Sequence, residues 1–260
     1  MSNIRQAFQN GKAFIPFITC GDPDLESTKR NVRAAVAAGA DLVELGIPFS
    51  DPTAEGPVIQ AANLRALSGG VTTDAVFQMV AELREELTTP LVFMTYANVV
   101  FSYGIARFAA RAAEVGIDGI ILPDVPFEEK EEFTPAFRAA GIDFISMIAP
   151  TSMARIREIA AAAEGFLYVV SSLGVTGVRQ EINTDLSGML ASVRQANPSL
   201  PAAIGFGIST PAQAKRMAAV ADGVIVGSAI VRIMAEKGRE ADEEIARYVR
   251  EMKTAANTFQ

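Results

Sequence analysis

The stretch Ile105–Ile148, IARFAARAAEVGIDGIILPDVPFEEKEEFTPAFRAAGIDFISMI, decides the fold, because within it one pattern occurs twice. Ile105–Val115 has the apolar spacing of an amphipathic helix, and a glycine turn leads to the short apolar run Gly119–Leu122. Glu128–Ala140 then reads as a second helix and Phe144–Ile148 as a second strand. Runs apolar at consecutive positions have no face left for water. They belong in a parallel sheet covered on both sides, where each strand is followed by a crossover helix.

The pattern extends in both directions. Toward the C-terminus come helix Met153–Glu164, strand Phe166–Ser171, helix Leu186–Ala196, strand Ala202–Phe206, helix Pro211–Val220, strand Gly223–Val226 and a closing helix Ala241–Ala255. Toward the N-terminus lie strands Leu91–Tyr96, Asp41–Gly46 and Phe14–Thr19. Helices Asp24–Ala38, Pro57–Leu67 and Thr73–Leu87 separate them, and a short amphipathic helix fills Met1–Gly11. Asp24 is placed to cap its helix, and Asp124 reads as a turn residue after the fourth strand. Eight strands start about 30 residues apart, the length of one β–α–β unit. The spacing predicts an α/β fold, a closed (β/α)8 TIM barrel of eight parallel strands with a short extra N-terminal helix, over 1–260 as a single domain.

Composition removes several functions. The formal charge of −7 on 260 residues argues against a nucleic-acid partner. Residues 1–13 lack the apolar core of a signal peptide, and no apolar run reaches the roughly 18 residues of a membrane span. A cytoplasmic location with no membrane partner is the expectation. Cys20 is the only cysteine, so it makes no internal disulfide or thiolate metal cluster and reads as packing. There is no histidine. No metal site is expected, and any proton transfer falls to carboxylate, Tyr, Lys or water.

Two carboxylates stand out in DLVELGIPFSDPTAEGPVIQAAN, Asp41–Asn63. Glu44 sits among Leu42, Val43, Leu45 and Ile47, where desolvating an unpaired charge costs several kcal/mol, so it is paired, neutral or kept for chemistry. Glu55 follows in a loop shaped by Pro48, Pro52 and Pro57. The intervals from the second strand to the third and from the sixth to the seventh are longer than the others. Loops leaving the C-terminal strand ends build the working face of such barrels. At those ends lie three glycine segments, GVTG at Gly174–Gly177, GFGIS at Gly205–Ser209 and GSAIV at Gly227–Val231. Their bare backbone, with Ser228 at a helix start, suits a phosphate.

At these residues the chain resembles the tryptophan synthase α-subunit family. GDPD at Gly21–Asp24, ELGIPFSDP at Glu44–Pro52, GPVIQAANLRAL at Gly56–Leu67, MTYANVVFSYG at Met94–Gly104, ILPDVP at Ile121–Pro126, LGVTGVR at Leu173–Arg179, GFGIS and VGSAIV carry the resemblance over essentially the whole chain. It implies a lyase that cleaves indole-3-glycerol phosphate to indole and glyceraldehyde 3-phosphate by a retro-aldol reaction in tryptophan biosynthesis, with no cofactor in this subunit. It assigns the proton shuttle to Glu44 and the ring N–H to Glu55, which stands where the family pattern ADGP has Asp and is one methylene longer. It gives the phosphate to Gly177, Gly207, Gly227 and Ser228, the indole pocket to Phe17, Met94, Tyr168 and Phe206, and a lid to Thr176. It implies a β subunit carrying pyridoxal phosphate as partner, in an α2β2 complex. Another phosphate-sugar TIM-barrel enzyme, an epimerase or isomerase, and a catalytically weak activating subunit are the alternatives.

Overall fold

The computed structural model describes residues 3–150, 152–171 and 186–258. Nine parallel strand segments form one sheet: β1 Ala13–Thr19, β2 Val43–Gly46, β3 Leu91–Met94, β4 Gly119–Ile121, β5 Asp143–Phe144, β6 Met147–Ile148, β7 Leu167–Val170, β8 Ala202–Gly205 and β9 Gly223–Val226. The sheet runs β5-β4-β3-β2-β1-β9-β8-β7-β6. Its two ends are chain neighbours. The Ile145 N–H donates to Ile120 O at 2.9 Å on one side, and the Tyr168 N–H donates to Ser146 O at 3.0 Å on the other. The run 143–148 thus switches partners midway and closes the sheet into a barrel of eight strand positions. The fifth strand, expected as Phe144–Ile148, is therefore two halves, because a tilted strand at the closure meets its two neighbours at different heights.

Side-chain alternation sorts the core into two layers. Ile15, Phe17, Val92, Ile121, Ala203 and Ile225 fill the barrel interior. Phe14, Leu45, Phe93, Ile120 and Val224 point outward and pack under the surrounding helices. The N-terminal segment is a 3-10 helix over Ile4–Phe8, shorter than the expected helix, with Ile4 and Ala7 buried. It stoppers the N-terminal mouth. Ile4 Cδ1 lies 2.8 Å from where a Cβ of Gly119 would stand, and the rings of Phe8 and Phe166 meet at 5.7 Å.

Local sequence shapes the segments that follow the strands. Asp24 accepts the Ser27 N–H at 2.7 Å and starts helix Leu25–Ala37. The helix expected over Glu128–Ala140 is a 3-10 segment, Phe127–Glu132, and then an α-helix, Thr134–Ala139. Pro135 explains the break, since it cannot donate to a preceding turn and is tolerated only in the first turn of a new helix. An unexpected helix, Ala97–Tyr103, follows β3. Asp124, read as a turn residue, accepts the Ala97 N–H at 3.0 and 3.1 Å and holds the start of that helix. Among the described residues no helix is long and apolar enough to cross a membrane.

Candidate active site

Glu44 lies on β2 with Phe17 of β1 and Val92 of β3 as its register partners. The parity that sends Leu42 into the barrel sends Glu44 there too. The residue is 1% exposed, and Oε1 has no hydrogen-bond partner among the described residues. Burial alone pushes its pKa up to about 8. A charged carboxylate is therefore disfavoured at neutral pH, and Glu44 holds its proton.

Glu55 ends the long loop after β2, just before helix Pro57–Ser68. It is almost as buried, at 4% exposed, but it is not alone. Asn63, further along that helix, donates from Nδ2 to Glu55 Oε2 at 2.6 Å, and the Tyr96 hydroxyl bonds to the same carboxylate. Burial raises the pKa to about 7, and these two bonds, which favour the charged form, oppose the rise. The loop is pinned around it: Gln60 Nε2 donates to Glu55 O at 2.7 Å, the Ala54 N–H donates to the Tyr96 hydroxyl at 3.2 Å, and Phe49 stacks on Tyr96 at 5.3 Å.

Both acids line one cleft at the C-terminal mouth. Phe17, Met94, Tyr168, Phe206, Gly207, Gly227 and Ser228 line it with them. Thr176 and Gly177 lie outside the described residues. Two glycines seat the rings. A Cβ on Gly46 would lie 2.5 Å from Phe17 Cζ, and one on Gly205 would lie 2.7 Å from Tyr168 Cε1. Phe206 takes a left-handed backbone, φ 72°, and meets Tyr168 edge-on at 6.0 Å. After β9, two strand positions from β2, Gly227 precedes helix Ser228–Lys237, whose N-terminal end lies at the cleft. Chemically the cleft combines an apolar wall with two proton-carrying acids and a helix N-terminus that could seat an anion.

Sequence reasoning missed Ile59, Ile208 and Ile225 on the wall, and Asn63 and Tyr96 behind Glu55. Ile59 and Asn63 lie four apart on one helix face, so the buried face of that helix was the available signal. Among the described residues no group of acidic, histidine or cysteine side chains could hold a metal ion.

Fold and cleft together define a (β/α)8-barrel protein with a cleft at its C-terminal strand ends. Residues 2–259 match the family described as Tryptophan synthase alpha chain, and this chain belongs to that family, a family of lyases. It is 48% identical over 257 residues to the tryptophan synthase alpha chain of Lacticaseibacillus casei, covering 99% of this chain and 96% of that one. It is 51% identical over 256 residues to that of Lactiplantibacillus plantarum, covering 98% and 96%. Among solved structures, the alpha subunit from Legionella pneumophila str. Paris superposes with a TM-score of 0.87 at 35% identity over 100% of both chains. The tryptophan synthase complex from Pyrococcus furiosus superposes with a TM-score of 0.84 at 37% identity over 94% of this chain and 99% of that one.

Proposed function

We propose that Glu44 and Glu55 divide between them the proton traffic of the family's reaction. That reaction is the retro-aldol cleavage of indole-3-glycerol phosphate to indole and glyceraldehyde 3-phosphate, in tryptophan biosynthesis. The bond to be broken joins the ring carbon to the side chain, and the ring leaves poorly until that carbon is protonated. Glu44, protonated at neutral pH, gives its proton to the ring carbon, while Glu55, close to half ionised, takes the proton of the ring nitrogen. The ring is then an uncharged tautomer. Glu44, now a carboxylate, takes the proton of the hydroxyl on the carbon attached to the ring. The O–H electrons become the aldehyde C=O, the carbon–carbon bond breaks, its electrons restore the ring, and Glu55 returns its proton to nitrogen. Both acids end as they began.

Phe17, Met94, Tyr168 and Phe206 hold the indole, and Gly207, Gly227 and Ser228, with Gly177, hold the phosphate. The observation that carries this assignment is the pair of buried carboxyls on one apolar cleft, Glu44 with an oxygen unpartnered among the described residues and Glu55 held by Asn63 and Tyr96. Environments that separate two acids in this way set their roles apart. A tryptophan synthase β subunit is the partner, in an α2β2 assembly with pyridoxal phosphate on the β subunit and no cofactor here, in the cytoplasm. The similarity to a chain of the Pyrococcus furiosus complex supports the partnership.

The test is direct. Purified chain incubated with indole-3-glycerol phosphate releases indole, faster with a β subunit bound. A folded chain that releases none, alone or in the complex, overturns the assignment.

A further inference from the structure

We infer that Ser171 is a positioning residue for substrate: its side chain fixes the left-handed turn at Phe206–Gly207 and so sets how the Phe206 ring and the Gly207 backbone face the cleft. The inference rests on that cleft being the substrate site. Ser171 follows β7 and is fully buried. Its N–H donates to Gly205 O at 3.2 Å, and its hydroxyl donates to Phe206 O at 2.6 Å. One residue thus grips two successive carbonyls at the end of β8.

That grip falls where the backbone needs it. Among the described residues Phe206 is the only non-glycine with positive φ, at 72°, and Gly207 follows at 80°. Gly207 is at ease there, but Phe206 is not, because its Cβ crowds the backbone oxygen, and such a residue stays only if its surroundings hold it. The buried hydroxyl bond is that hold, since relaxing Phe206 to negative φ would swing its carbonyl away from Ser171 and leave two buried polar groups unpaired. A glycine at 206 would need no hold. It would also remove the ring that meets Tyr168 edge-on. Glu44 and Glu55 stand across the cleft, on β2 and its loop, and no hydrogen bond links Ser171 to either among the described residues. Ser171 therefore governs binding and leaves proton transfer alone.

Steady-state kinetics of Ser171→Ala separates these effects. KM for indole-3-glycerol phosphate should rise about tenfold while kcat stays within about threefold, the mark of lost binding common to ground and transition states. In a Phe206→Gly background the same substitution should change KM by less than about twofold, because nothing strained remains to be held. An equal factor in both backgrounds, or a kcat loss with KM unchanged, overturns the inference. If Ser171→Ala alone fails to fold, the double variant should recover a folded barrel, and a double variant equally unfolded overturns it as well. A crystal structure of Ser171→Ala gives a reading independent of activity. Phe206 should relax to negative φ, and a φ still near 72° overturns the positioning role even if the chain cleaves its substrate.

Discussion

The side-chain amide of Asn63 donates to the carboxylate of Glu55 across 2.6 Å, from the helix that Glu55's own loop leads into. The bond favours the ionised acid, so it works against the burial that raises the Glu55 pKa to about 7. With Glu55 as the base of the proposed mechanism, kcat/KM should fall as pH drops through its pKa. Asn63→Ala should move that acid limb to higher pH and leave the alkaline limb, set by Glu44 at about 8, where it was. A pH–rate profile with both limbs unmoved refutes the link.

Glu44→Gln should lower turnover by about 10² or more while substrate still binds, because no imidazole stands in for the lost acid. It should also stabilise the barrel in alkali. A carboxyl whose pKa rises from 4.5 to about 8 on burial binds its proton more tightly in the native chain. That contribution is fully present below about pH 4.5 and is lost as pH rises through 8, where the native state must house an unpaired charge. The amide never ionises. Thermal melting from pH 6 to 9 should show the variant's advantage growing to an order of a few kcal/mol, and parallel curves would exclude a buried titrating Glu44.

Glu55→Ala should lose most activity. Glu55→Asp should fall about tenfold, because a shortfall of roughly 1 Å is costly when the backbone cannot follow. The loop is tied at Glu55 by Gln60 and at Ala54 by Tyr96, so it is fitted to the longer arm. An Asp variant faster than the parent shows that it is not.

Gly227→Asp should raise KM by about tenfold or more with the barrel still folded. A new Cβ there meets Phe17 Cβ at 3.5 Å and Ile59 Cδ1 at 3.6 Å, ordinary contacts, so the site has room. The carboxylate, in contrast, would sit where the helix N-terminus draws an anion. An unchanged Michaelis constant, with circular dichroism showing a folded chain, removes the phosphate from this corner.

Much of this was legible in residues alone. The apolar runs at Phe14, Val43, Leu91, Gly119, Leu167, Ala202 and Gly223 became strands because a run with no polar face has nowhere else to go. Glu44 announced itself as a charge inside such a run, and its raised pKa follows from the same burial. The partner switch at Ile145–Ser146 was not legible, because it belongs to the closure of the whole sheet and not to local pattern. Nor were the ring seats at Gly46 and Gly205, whose meaning depends on side chains from neighbouring strands, or the capping of Ala97 by Asp124, 27 residues away. Asn63 and Tyr96 stood in the sequence only as parts of a helix and a strand, and the packed structure shows which buried polar atoms they serve.

The divided fifth strand also bears on how the barrel breathes. Strands β1 and β2 share a continuous parallel ladder, whereas β5 and β6 are each held by two residues, Asp143–Phe144 against β4 and Met147–Ile148 against β7. Local opening begins where the fewest bonds must part. The amides of Ile145 and Tyr168, which stitch this seam, should exchange with solvent hydrogen sooner than those joining β1 to β2. Tyr168 stands on the loosely sewn side of the cleft and Glu44 on the tight one, so opening should reach the wall at Tyr168 before it reaches Glu44.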